Sequence, residues 1–166
     1  MKESGYLEGQ HHLVARIRLI PAFAQFPDDK LRGLLRLSKI MIFEPGELIV
    51  REGEHERSTY FLFSGSVQIT KAGKPLAKLQ QVGEVFGEMS LVDDSPRSAT
   101  VRALDETTCL VIDANQLLQI EKAGDADSLA AIYKMFAQIL AHRLRITTDN
   151  YMQLRKELDG GKKKGG

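Results

Sequence analysis

The residues best suited to chemistry lie in two short runs: Phe86-Gly87-Glu88-Met89-Ser90-Leu91 and, five residues later, Pro96-Arg97-Ser98-Ala99-Thr100-Val101. Without a Cβ, Gly87 can take a positive φ and let a ligand approach. The N–H groups of residues 87 to 90 can then converge on an anion at the start of a short helical turn. Arg97 would neutralise that anion with a planar, two-pronged guanidinium that a lysine cannot reproduce, and Ser98 adds a hydroxyl and its own N–H. Glu88 needs a different task, because a carboxylate repels phosphate. It suits a neighbouring hydroxyl, as acidic residues serve ribose in dinucleotide sites.

Two half-motifs in this order and at this separation resemble the phosphate-binding cassette of cyclic nucleotide-binding domains, where Gly-Glu and Arg-(Ser, Ala or Thr)-Ala hold a cyclic monophosphate. The resemblance implies a ligand-binding set of Phe86, Gly87, Glu88, Met89, Ser90, Arg97, Ser98 and Ala99. It extends over roughly residues 15 to 120. Gly46, Gly53 and Gly65 match glycines that recur in the family, and Ile-Pro-x-Phe-x-x-Phe at Ile20 to Phe26 resembles its N-terminal approach to the sheet.

The elements that must position this cassette are read from texture. From Lys39 to Asp113 short β-branched and aromatic runs alternate with Pro45-Gly46, Glu52-Gly53, Ser64-Gly65, Ala72-Gly73 and Val82-Gly83. Many short strands with frequent glycine turns specify a mainly β fold, an antiparallel jelly-roll-like β-roll, with Thr70 to Pro75 as a hairpin connection. Before it, residues 13 to 26 and 31 to 37 carry apolar residues at helical spacing, broken at Pro21 and Pro27, with Asp28 or Asp29 as cap. These are short N-terminal helices. After Asp113 the chain turns helical, and a segment from about Ser128 to Leu158 holds no proline or glycine, capped by Asp127 or Ser128.

In the second half of that long C-terminal helix, Leu140, Leu144, Thr147, Tyr151, Leu154 and Leu158 recur at steps of four and three, the coiled-coil period. That stripe calls for a partner helix, and a homodimer is expected. Ile132, Phe136 and Ile139 form another set, suited to covering the chain's own roll. The resulting division is a roll with its N-terminal helices over 13–126, a lid and dimerisation helix over 127–158, and a flexible basic tail over 159–166. Lys162 to Lys164 in that tail suit simple solvation of a terminus.

Ala141 to Thr148 resembles more narrowly the dimer helix of the bacterial cAMP receptor (catabolite activator) family, and the spacing from Arg97 agrees without a gap. That resemblance implies cAMP as ligand, with Thr147 and Thr148 meeting the adenine edge from two subunits. It leaves cGMP as the nearer alternative, since threonine hydroxyls can also donate to guanine O6. Arg143, one turn before Thr147, could reach Glu88. The resemblance would also place a helix-turn-helix after the dimer helix, where only Gly-Gly-Lys-Lys-Lys-Gly-Gly follows. Direct operator recognition is therefore not expected: either a partner protein receives the signal or the chain is a sensor fragment.

Composition agrees with one domain plus an appended element. The 166 residues are 43% hydrophobic and 27% charged, and a net charge of +1 advertises neither nucleic acid nor membrane. Cys109 stands alone in an apolar run, so a reducing, cytoplasmic setting is expected. No run approaches the length of a membrane span. His11, His12, His55 and His142 lack ligand-spaced partners, so neither metal nor cofactor is expected. Nor is there a nucleophile with a base, or a convergent carboxylate pair, and enzymatic activity is not expected. The other readings left open are a regulatory subunit acting on an enzyme and a ligand-free dimerisation module.

Overall fold

The computed structural model describes residues 2–3, 15, 17–18, 20, 23–24, 26–36, 38–89 and 95–162. It divides into two compact units, Met1–Ala131 and Ile132–Gly166. Nine strands are described: β1 (Lys2–Glu3), β2 (Ser38–Phe43), β3 (Leu48–Val50), β4 (Ser58–Ser64), β5 (Val67–Lys71), β6 (Lys74–Leu79), β7 (Val85–Phe86), β8 (Thr100–Ala103) and β9 (Thr107–Asp113). Three helices are described with them, α1 (Asp28–Arg36), α2 (Ala114–Lys122) and α3 (Ala126–Lys162).

The strands form two antiparallel sheets, in the orders β1-β2-β9-β4-β7 and β3-β8-β5-β6. Alternation along β4 explains why two sheets need each other. Tyr60 and Leu62 point into a shared core with Phe43, Val50, Val67, Leu79, Phe86, Val101, Ala103, Cys109 and Val111. Phe61 points to the opposite face, where its ring meets Phe23 with centroids 4.8 Å apart. Both faces of β4 are thus buried, and each large side chain so buried contributes roughly 1.5–3 kcal/mol. This is the mainly β roll that the glycine-punctuated texture specifies.

The turns follow from backbone chemistry. Ala72 and Gly73 both have positive φ, 49° and 74°, as a two-residue hairpin loop between β5 and β6 requires. Gly65 has φ 86°, and a Cβ there would collide with the Glu106 carbonyl and stand 2.7 Å from Thr107 Cα. Only glycine fits where the β4–β5 connection passes the start of β9.

The helices depart from expectation mainly at their ends. In α1, Leu31, Leu34 and Leu35 are buried at the spacing the sequence predicts. Asp28 and Asp29 occupy its first turn and do not precede it, so they act on the helix dipole there. Asp113 caps α2, accepting from Asn115 N at 2.8 Å. The cap of α3 is Asp125, whose Oδ1 accepts from Ser128 N at 3.0 Å, while Asp127 sits in the first turn. Much of the reading for residues 13 to 26 lies outside the described residues.

In the second unit, α3 buries Ile132, Met135 and Phe136 and exposes its later apolar positions: Leu144 by 67%, Tyr151 and Leu154 by 59% each, Leu158 by 71%. The helix continues through Gly160 and Gly161 to Lys162, past the flexible boundary expected at residue 159. An N–H-to-carbonyl ladder does not require side chains, so two glycines at a helix end weaken it without stopping it. Residues 163 to 166 lie outside the described residues.

Candidate ligand-binding site

The cassette begins where β7 ends. Phe86 is buried, and its ring stacks on that of Tyr60, with centroids 4.9 Å apart and planes within 2° of parallel. That offset stack anchors the chain just before it turns. Burial also raises the Tyr60 hydroxyl well above its ordinary pKa, with the Glu56 charge adding to the effect. It stays neutral at physiological pH.

Gly87 then takes φ 78°, Glu88 turns inward at 2% exposure, and Met89, the last residue described on this side, is 51% exposed. Ser90, the last expected amide of the nest, lies outside the described residues, as do 91 to 94. On the far side, Ser98 is exposed and Ala99 half-buried.

Between these ends lies Arg97, at 4% exposure. Its backbone is pinned to the loop joining β3 and β4: Arg97 N donates to the Glu54 carbonyl, and Gly53 N donates to the Arg97 carbonyl, each at 2.9 Å. Among the described residues, its guanidinium is aimed by the Gly87 and Ser58 carbonyls and the Glu56 carboxylate. Nη1 donates to the Gly87 carbonyl at 2.6 Å; Nη2 donates to the Ser58 carbonyl at 2.5 Å and pairs with the Glu56 carboxylate. Glu56 is itself fixed, because its Oε1 accepts from Ser58 N at 2.7 Å.

The structure thus brings Gly87 and Arg97 into direct contact, and it sets Ser98 Oγ 3.9 Å from Met89 Sδ across the same cassette. Thr147 and Thr148 lie exposed on the second unit, with Arg143 half-buried one turn earlier. Sequence reasoning missed Glu56, Ser58 and Tyr60. Only Tyr60 carried a signal, as an aromatic residue in a β-branched and aromatic strand.

Chemically, a buried, oriented guanidinium beside a glycine elbow is suited to an anion. Among the described residues no three His, Cys, Asp or Glu side chains are grouped to hold a metal ion. Burial pushes the Cys109 thiol up to about 12, which leaves it without nucleophilic thiolate. Nor, among the described residues, is any helix long and apolar enough to cross a membrane.

Residues 40–123, just over half of the chain, match the family model of the cyclic nucleotide-binding domain, and the match contains the whole cassette. The chain belongs to the cyclic nucleotide-binding domain family. Among similar proteins, the cAMP-dependent protein kinase regulatory subunit of Debaryomyces hansenii is 47% identical over 64 residues, 39% of this chain and 14% of that one. Human cGMP-dependent protein kinase 2 is 33% identical over 103 residues, 58% of this chain and again 14% of the relative. The aligned part is therefore about one-seventh of each of these longer proteins. Among solved structures, the catabolite activator protein of Thermus thermophilus superposes with a TM-score of 0.65 at 28% identity, covering 81% of this chain and 63% of that one. The cyclic nucleotide-binding roll is common to both.

Proposed function

We propose that this domain is a non-catalytic receptor for a cyclic nucleotide, cAMP by preference, and that it reports binding through α3 to a partner protein. The observation that carries the reading is Arg97: a guanidinium held at 4% exposure against the Gly87 carbonyl, inside the family's matched segment. In this reading Arg97, Ser98 and the amides of Gly87 to Ser90 hold the cyclic phosphate. Glu88 accepts from the ribose 2′-OH. Phe86, Met89 and Ala99 shape the wall, and Thr147 with Thr148 contact the base, with Arg143 tying the helix to Glu88.

The ligand acts by shifting a population. It must favour one arrangement of α3 by a few kcal/mol, which phosphate and base contacts supply together when both are completed in one state. The exposed row Leu144, Tyr151, Leu154 and Leu158 supports pairing with a second copy through the same helix. The lone, buried thiol of Cys109 fits a reducing, cytoplasmic setting.

A second reading, cGMP in a module that regulates an enzyme, draws on the likeness to a cGMP-dependent kinase. Competition of cAMP and cGMP against a fluorescent cAMP analogue separates the two. Displacement by cAMP at the lower concentration is expected. A clear preference for cGMP would transfer the assignment, and displacement by neither would remove the receptor reading.

A further inference from the structure

Arg97 already faces an anion that belongs to the chain. Glu56, in the loop between β3 and β4, pairs with Nη2, and the Ser58 carbonyl accepts from the same nitrogen. Those two acceptors match the two hydrogens of Nη2. A carboxylate or phosphate that grips a guanidinium with two prongs does so either across Nη1 and Nη2 or across Nε and Nη2, so both modes require Nη2. A phosphate can take that grip only if Glu56 or the Ser58 carbonyl gives way. The carbonyl belongs to the paired strand β4, whereas Glu56 is a side chain in a loop.

Exposure indicates which partner leaves. The side chain of Arg97 is 3% exposed and that of Glu56 is 39% exposed. Moving the carboxylate into water costs little desolvation, while the guanidinium cannot follow it. Without Glu56 the buried guanidinium would lose this carboxylate partner, and removing one side of a buried pair costs stability.

We propose that Glu56 is the built-in counter-ion of Arg97 and competes with the ligand's phosphate for it, thereby setting the affinity of the site. The inference rests on the cyclic nucleotide reading above. It makes Glu56 a positioning residue: it fixes the guanidinium for the incoming anion and is displaced by it. Affinity is held below what the bare cassette would give, and the unliganded fold is protected in return.

The test is titration of wild type, Glu56→Gln and Glu56→Asp with cAMP and with cGMP, together with melting of each protein free and saturated. Glutamine keeps the shape and can still accept from Ser58 N–H, but it carries no charge. Its affinity is expected to tighten by about threefold to tenfold, since with its oxygen on Ser58 N–H its NH2 cannot accept from Arg97, and the ion pair that the phosphate must displace is gone. The free variant should melt lower than wild type and the saturated variant at the same temperature, a split that a purely structural role would not produce. Aspartate keeps the charge with a shorter reach and should bind between the two. If the glutamine variant binds as wild type or more weakly, Glu56 is not a competitor. If that variant does not fold, the aspartate variant decides: tighter binding supports the inference and unchanged binding overturns it. Wild type that binds neither nucleotide overturns the receptor reading, and this inference with it.

Discussion

The Gly87 carbonyl accepts a hydrogen bond from Arg97 Nη1 at 2.6 Å, and a Cβ added to Gly87 would stand 2.5 Å from that same nitrogen. It would also stand 2.8 Å from the Ser58 carbonyl, on a backbone with φ 78°. The glycine is required first by the arginine. Gly87→Ala therefore combines about 1–2 kcal/mol of left-handed backbone cost with expulsion of the guanidinium from its acceptors. Urea unfolding should show a loss of roughly 2 kcal/mol or more, and binding of cAMP should weaken at least tenfold, by about 1.4 kcal/mol. An unchanged unfolding midpoint would mean that the elbow can relax.

Asp105 should give the fold a pH dependence. Its carboxyl is held below the usual carboxylate range first by the Ser66 hydroxyl, which donates at 2.9 Å, and then by Ser66 N, at 2.6 Å. A carboxylate whose folded pKa is depressed adds stability above its unfolded pKa and loses it as pH falls through the folded value. Wild type should therefore lose stability below about pH 4 more steeply than Asp105→Asn. Unfolding midpoints of the two proteins between about pH 7 and pH 3 test this, and parallel curves would remove Asp105 as a contributor.

The exposed stripe on α3 makes dimerisation testable. Leu144, Tyr151, Leu154 and Leu158 are each more than half exposed. Leu154→Glu places a charge in the seam, so light scattering should show a monomer where wild type is a dimer. Identical masses for the two proteins would count against helix pairing through this stripe.

Base choice is expected to reside in two hydroxyls. Thr147→Ala with Thr148→Ala should weaken cAMP binding several-fold, at about 0.5–1.5 kcal/mol per lost hydrogen bond. It should affect cGMP less, narrowing the ratio between the two. Equal losses for both nucleotides would assign the threonines to helix packing.

Legibility in the sequence followed from how local each signal was. Gly87, Glu88 and Arg97 sit within a short span whose chemistry is written in residue type, and the roll was visible through turns at Gly46, Gly53, Gly65, Gly73 and Gly83, all with positive φ. Glu56 was not visible: it meets Arg97 across 41 positions, and a single glutamate in a charged loop has no pattern to mark it. Strand β1, only Lys2 and Glu3, borrows its conformation from pairing with Ile42 and Met41 and has no periodicity of its own. The cap of α3 moved to Asp125 because three carboxylate or hydroxyl residues compete within Asp125 to Ser128, and backbone geometry alone selects among them.

The most direct test of the central claim is calorimetric titration of wild type and Arg97→Ala with cAMP. Wild type should bind one cAMP per chain, and the alanine variant should lose at least about a hundredfold in affinity, equivalent to about 2.7 kcal/mol, because a buried charged grip on the phosphate is gone. Equal affinity in a folded Arg97→Ala protein would contradict the account.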